Sequence, residues 1–119
     1  LHNRMQFFPE FGTSYIYLSK EDQEKYNYQN GDSEGFVNIA LSIAGAKFAA
    51  IFIEKEDHVK ASFRSIGSFD VNQFARKHFH GGGHKNAAGG KSYKSLNKTL
   101  ESFVKLAEEY KDLILEKEK

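Results

Sequence analysis

Apolar and polar positions along the chain divide it into elements with different periods. Residues 1–10 show no period and contain Pro9, the one proline, which limits regular structure. They read as a lead-in. Residues 12–18, rich in Tyr, Ile and Thr, predict a strand. Ser19 with Asp22 three positions on resembles a capping box opening a short polar helix to about residue 26. A polar loop, 27–32, follows. Ser33 caps a second predicted helix to about residue 44, apolar nearly all round at Phe36, Val37, Ile39, Ala40, Leu41, Ile43 and Ala44 and therefore buried; Gly45 stops it. Residues 48–53 are a continuous apolar run, the pattern of a strand covered on both faces. The charged residues 54–57 then make a hairpin turn.

The next strand, 59–66, alternates. Val59, Ala61, Phe63 and Ser65 share one face; Lys60, Ser62, Arg64 and Ile66 share the other. Asp70 caps a helix to about residue 79 with Val71, Phe74, Ala75, His78 and Phe79 on its inner side. A glycine-rich loop begins at Gly81, residues 91–93 predict a short strand, and Ser95 caps a long helix with the stripe Leu96, Leu100, Phe103, Ala107, Tyr110 and Ile114. The order β-α-α-β-β-α-β-α predicts an α/β (α+β) chain with a single domain: a mixed β-sheet of about four to five strands, helices packed on it and a long C-terminal helix. Residues 1–11 form the lead-in and 12–119 the domain.

Composition narrows this picture. With 119 residues, 39% hydrophobic and 28% charged, the chain can bury one core without staples. It has no cysteine, which excludes disulfides and thiolate zinc sites. No apolar run approaches the roughly 20 residues needed to cross a membrane, and residues 1–10 do not have the pattern of a signal peptide. The expected location is cytoplasmic, with no membrane partner. The chain begins at Leu1 and its first Met is Met5, from which a longer natural protein is expected.

The formal net charge is +1, but between His58 and Lys98 eight basic residues face one acid, Asp70. That segment carries +7 and the remainder −6. Such a segment suits phosphate or nucleic acid; the alternative is a set of lysines solvated on different faces. On the alternating strand, the hydroxyl of Ser62 lies between Lys60 and Arg64, a suitable wall for a phosphate.

Residues 80–90 carry the sharpest motif. Gly81, Gly82 and Gly83 lack Cβ atoms and admit a close ligand, and exposed N–H groups there can form an anion-binding concavity. If residues 84–88 open a helical turn, its free N–H groups face the same place. His84 can donate to phosphate or stack on a base, and Lys85 adds charge. A flexible surface loop remains the competing reading, because the spacing matches neither the phosphate loop nor the dinucleotide fingerprint.

Gly81-Gly82-Gly83-His84 followed by Ala87-Ala88-Gly89, with Ser62-Phe63-Arg64-Ser65 about twenty residues earlier, resembles the C-terminal DHH-associated domain of DHH-family phosphoesterases. Asp70-Val71-Asn72, Glu34-Gly35 and the junction at residues 5–10 are similar as well. Within the family the likeness is to enzymes that hydrolyse very short RNA and 3′-phosphoadenosine 5′-phosphate, the exopolyphosphatase-related proteins. The resemblance implies a substrate-binding role for Gly81, Gly82, Gly83, His84 and Arg64, with Ser62, Ser65 and Lys85 beside them. Many relatives carry a further Gly where this chain has His80, which stiffens the entry to the loop.

The family's catalytic residues, an Asp-His-His motif and further Asp residues binding paired divalent metals, usually manganese, do not occur here. The chain is therefore expected to hold no catalytic residue and no metal itself; His78, His80 and His84 are the only close histidines, with no acid beside them. Manganese belongs to an N-terminal DHH domain of the same polypeptide, the expected protein partner. The other partner is a nucleotide or short single-stranded nucleic acid, and homodimerisation is left open. The function implied is substrate binding for a metal-dependent phosphoesterase. The alternatives are a non-catalytic RNA- or tRNA-binding module like the C-terminal domain of alanyl-tRNA synthetase, a parent acting on polyphosphate, and a domain with a merely solvated basic face.

Overall fold

The computed structural model describes residues 5–25, 38, 40–42 and 45–116. Its centre is one mixed sheet of six strands: β1 (Met5–Phe8), β2 (Thr13–Leu18), β3 (Phe48–Glu54), β4 (Val59–Ser65), β5 (Gly82–His84) and β6 (Ala87–Ser92). The spatial order is β1-β2-β3-β4-β6-β5, with β2 and β3 parallel and every other neighbour antiparallel. Four helices complete the described chain: α1 (Lys20–Lys25), α2 (Val71–His78), α3 (Leu96–Glu109) and α4 (Lys111–Ile114).

Two sheet faces explain the two strand patterns. On one face Tyr15, Phe48, Ala50, Phe52, Ala61 and Phe63 meet α2 and α3 through Phe74, Ala75, Leu100, Phe103 and Ala107. The other face of β2 and β3 packs Ile16, Ala49, Ile51 and Ile53 against Ala40 and Leu41. β3 is apolar throughout because both its faces are covered. β4 alternates because only Val59, Ala61, Phe63 and Ser65 are buried, while Lys60, Ser62 and Arg64 stand half-buried on the second face. The apolar layer of that face therefore stops at β3.

The core is aromatic. Phe103 is fully buried, and its ring centroid lies 5.1 Å from Phe52 and 5.3 Å from Phe48. Phe63 meets Phe74 edge-on at 5.3 Å. Offset and edge-on pairs of this kind add to the stabilisation from burial alone.

The caps follow the sequence. Ser19 and Asp22 exchange hydrogen bonds of 3.1 and 3.0 Å at the start of α1. The Asp70 carboxylate accepts from the Gln73 N–H, and the Ser95 hydroxyl accepts from the Lys98 N–H. The apolar stripe of the C-terminal helix continues to a buried Ile114, although the helix breaks at Tyr110 into α3 and α4.

Two expectations differ from the structure. Met5–Phe8 is a strand paired with β2, because Pro9 follows it and opens only a single 3-10 turn. Residues 84–88 form no helical turn: they close a β-hairpin, because Ala87–Ser92 pairs along its whole length with β4. The sheet thus gains strands at both edges. The predicted loop at 27–32 and most of the predicted helix 33–44 lie outside the described residues, although positions 38, 40 and 41 are helical.

Candidate ligand-binding face

The site is assembled by strand register. Arg64 pairs with Ala87, and Ala87 pairs with His84, so the three form one row across β4, β6 and β5. Directly opposed residues share a face. Arg64 and His84 therefore flank Ala87 on the second face, their backbones about 10 Å apart at ~4.8 Å per strand. One row along, Ser62 pairs with Gly89; the next row pairs Lys60 with Lys91. Like charges directly opposed are unfavourable in an empty sheet, and an anion above them reverses the sign.

The Arg64 guanidinium is half-buried, and burial pushes its pKa below the ordinary value. It stays cationic. Its Nη1 donates to the Phe63 carbonyl at 2.9 Å, anchoring the side chain close to the strand. His84 and Lys85 are exposed at the hairpin tip, next to the second face.

The glycines have a structural duty that the sequence did not disclose. A Cβ at Gly81 would meet the Gly89 carbonyl, one at Gly83 would lie 2.7 Å from the Ala87 carbonyl, and one at Gly90 would meet the Phe79 carbonyl. Their N–H groups are engaged as well: Gly81 donates to Ala75 O at 3.2 Å and Gly83 to Asn72 Oδ1 at 2.9 Å. The expected concavity of free N–H groups is thus not formed by Gly81 and Gly83. Asn72, which also accepts from Arg76 Nε at 3.0 Å, fastens the edge strand to α2.

Ser65 is separated from the other candidates. It faces the core at 6% exposure, where its hydroxyl donates to Phe69 O at 2.7 Å and accepts from Asn86 Nδ2 at 2.8 Å. With the bonds from Val71 N to Lys85 O and from Ser65 N to Asn86 O, this fixes the two-residue turn Lys85-Asn86 against the start of α2. Ser62, Arg64 and His84 are thus brought to one face, Lys85 to its edge, and Ser65 to the other side. Lys60 and Lys91 join the face, Lys91 through a register that no local pattern specifies. The remaining cations of the basic segment spread elsewhere: Arg76 and Lys77 are exposed on α2, and Lys98 on α3.

Among the described residues no group of three His, Cys, Asp or Glu side chains converges on a metal position. His78 bonds the Tyr110 hydroxyl at 2.9 Å, and His80 meets the Tyr93 ring. Among the described residues no helix is long and apolar enough to cross a membrane.

Comparison with known proteins places this geometry. The chain is 31% identical over 84 residues to the bifunctional oligoribonuclease and PAP phosphatase NrnA of Bacillus subtilis, a match covering 71% of this chain and 26% of that protein. The crystal structure of an exopolyphosphatase-related protein from Bacteroides fragilis superposes with a TM-score of 0.88 at 40% identity, over 95% of this chain and 33% of that one. A pGpG-specific phosphodiesterase from Vibrio shares the fold, with a TM-score of 0.56 at 9% identity over 91% of this chain and 35% of that one. The chain thus spans about a quarter to a third of the length of these proteins. The family model for the DHHA1 domain matches residues 12–112, the sheet from β2 onward with its helices, and the chain belongs to that family.

Proposed function

We propose that this chain is the substrate-holding domain of a metal-dependent phosphoesterase acting on nucleotides or short oligonucleotides. The observation that carries the reading is the row Arg64–Ala87–His84, with Ser62, Lys60 and Lys91 beside it on a face where the apolar layer has ended. A phosphate above Ala87 is bracketed by a guanidinium, which can bind it with two parallel hydrogen bonds, and by an imidazole. Ala87 and Gly89 keep the floor low enough for the ligand to approach the sheet. The similarity to an oligoribonuclease and PAP phosphatase supports a substrate with terminal phosphates. Two divalent metals, held by a DHH domain of the same polypeptide, would activate the attacking water. The residues of this chain bind and orient.

The test is kinetic, in the polypeptide carrying both domains, with 3′-phosphoadenosine 5′-phosphate and a dinucleotide as substrates. A charge-assisted hydrogen bond contributes about 1.5–3 kcal/mol, so Arg64→Ala should raise KM roughly ten- to hundred-fold with a smaller change in kcat. His84→Ala should act in the same direction. Unchanged KM in both variants would sink the proposal. Tight, salt-steep binding of long RNA by this chain would favour a non-catalytic RNA-binding module instead.

A further inference from the structure

A cavity of about 410 Å³ opens on the helix-bearing side, between the C-terminal end of α2, the residues just beyond β6, and α3. Its walls include His80, Tyr93, Lys94, Lys105, Leu106 and Glu109. None of these belongs to the Arg64–His84 row. The register sets the two places apart: Ser92, at the cavity end of β6, pairs with Val59, whereas Arg64 pairs with Ala87. Five residues of strand separate these pairs, about 17 Å, and the two sites open on opposite faces.

Three features of the cavity bear on what it could hold. Tyr93 is 65% exposed, although tyrosine gains most when its ring is covered. His80 stands in the left-handed region at φ 52°, where a side chain is disfavoured, although histidine tolerates it better than most. In that conformation its ring meets Tyr93 edge-on at 5.6 Å, forming an aromatic corner at the cavity. Lys94 and Lys105 supply cations, with Lys94 Nζ held 3.2 Å from the Ser102 hydroxyl, and Glu109 is the one acid among the lining residues.

We propose that this cavity is a second nucleotide site, with a base against Tyr93 and His80 and a phosphate toward Lys94 and Lys105. An apolar ligand would leave the ammonium groups uncompensated, a simple inorganic anion would leave the aromatic corner unused, and a cation would be repelled. A group with a flat π face and a negative charge uses both features, and the volume falls in the range of small-ligand pockets, roughly 300–1,000 Å³. The site takes the same class of ligand as the Arg64 face; Lys91 borders both, but the groups proposed to hold the ligand here, Tyr93, His80, Lys94 and Lys105, are not on that face, so the inference stands or falls separately.

Nuclear magnetic resonance titration of the 119-residue chain tests this, with adenosine 5′-monophosphate, adenosine and inorganic phosphate as probes. The monophosphate should move the ring resonances of His80 and Tyr93 and bind more tightly than either fragment. Stacking of a base is worth roughly 1–3 kcal/mol, so Tyr93→Ala should weaken binding about five- to hundred-fold, and Tyr93→Phe should retain it. Lys105→Glu should weaken it too, whereas Arg64→Ala should leave the His80 and Tyr93 shifts in place. Unmoved rings, unchanged affinity in Tyr93→Ala, or phosphate acting as strongly as the monophosphate would each overturn the inference. If the Arg64 row responds and the rings do not, this inference alone falls; the opposite result removes the Arg64 reading and keeps this one.

Discussion

The hairpin of β5 and β6 and the phenylalanine cluster beneath it are built from opposite materials. In the cluster Phe48, Phe52, Phe63, Phe74 and Phe103 fill space with large rings, and no smaller residue does the same work. In the hairpin Gly81, Gly83 and Gly90 succeed by having nothing to fill space with, so that backbone can lie against backbone and Phe79 can tuck under β6. Packing density is the common demand. Truncation should therefore damage one region and enlargement the other, and His84, which the proposed function turns toward a ligand, sits on the thin layer rather than on the thick one.

The largest effect is expected from Phe103→Ala. It removes a ring from a closed aromatic core and should cost roughly 3–5 kcal/mol in denaturant unfolding. A loss below about 2 kcal/mol would mean that the core relaxes and the contrast with the hairpin is weaker than drawn. Next, Gly90→Ala inserts a methyl into the space of the Phe79 carbonyl. Overpacking of this kind costs typically 1–3 kcal/mol. Wild-type stability in that variant would show that the glycines are kept for ligand approach and not for backbone packing.

Ser65→Ala sharpens the boundary between fold and site. It deprives the buried Phe69 carbonyl and the Asn86 amide of a partner and should cost about 1–3 kcal/mol. Affinity for the nucleotide should stay near wild type when measured well below the melting point. A selective loss of affinity with intact stability would return Ser65 to the ligand face.

The smallest effect concerns His78, at the contact between α2 and the end of α3. Burial foremost, and the neighbouring Lys77 charge next, lower its pKa below 6.5, while Glu109 acts in the opposite direction. The unfolded chain then binds this proton at a higher pH than the folded one, so stability should fall as pH drops below about 6.5. His78→Gln should flatten that slope in thermal melts between pH 7 and 5.5. An identical slope would place the pH dependence elsewhere.

Much of this could be read along the chain because the forces involved are local. Alternation in 59–65 marked which side of β4 is buried and set Ser62 and Arg64 together, since successive side chains point to opposite faces. Asp70 and Ser95 announced helix starts because a cap bonds its own first turn. The glycine-histidine motif pointed to the neighbourhood of the proposed site but not to the shape of the chain there. Spacing alone could not distinguish a helical turn from a hairpin at residues 84–88, because small residues are compatible with both. Their pairing with β4, about twenty residues away in sequence, decides it.

By itself, then, the amino-acid sequence determined the strands of the sheet's centre, the capped helix starts at Asp70 and Ser95, the buried stripes of the helices they open, the family likeness and the residue types able to meet phosphate. Tertiary structure alone decided that Met5–Phe8 completes one edge of the sheet, that His84 shares a row with Arg64, that Lys91 opposes Lys60, and that the Ser65 hydroxyl ties the Lys85-Asn86 turn to Phe69. It also decided that His80, Tyr93 and Lys105, from three separate stretches, wall one cavity. The reason is physical: periodicity reports which face of an element is buried, whereas register and the docking of helices on a sheet depend on long-range contacts that no local window contains.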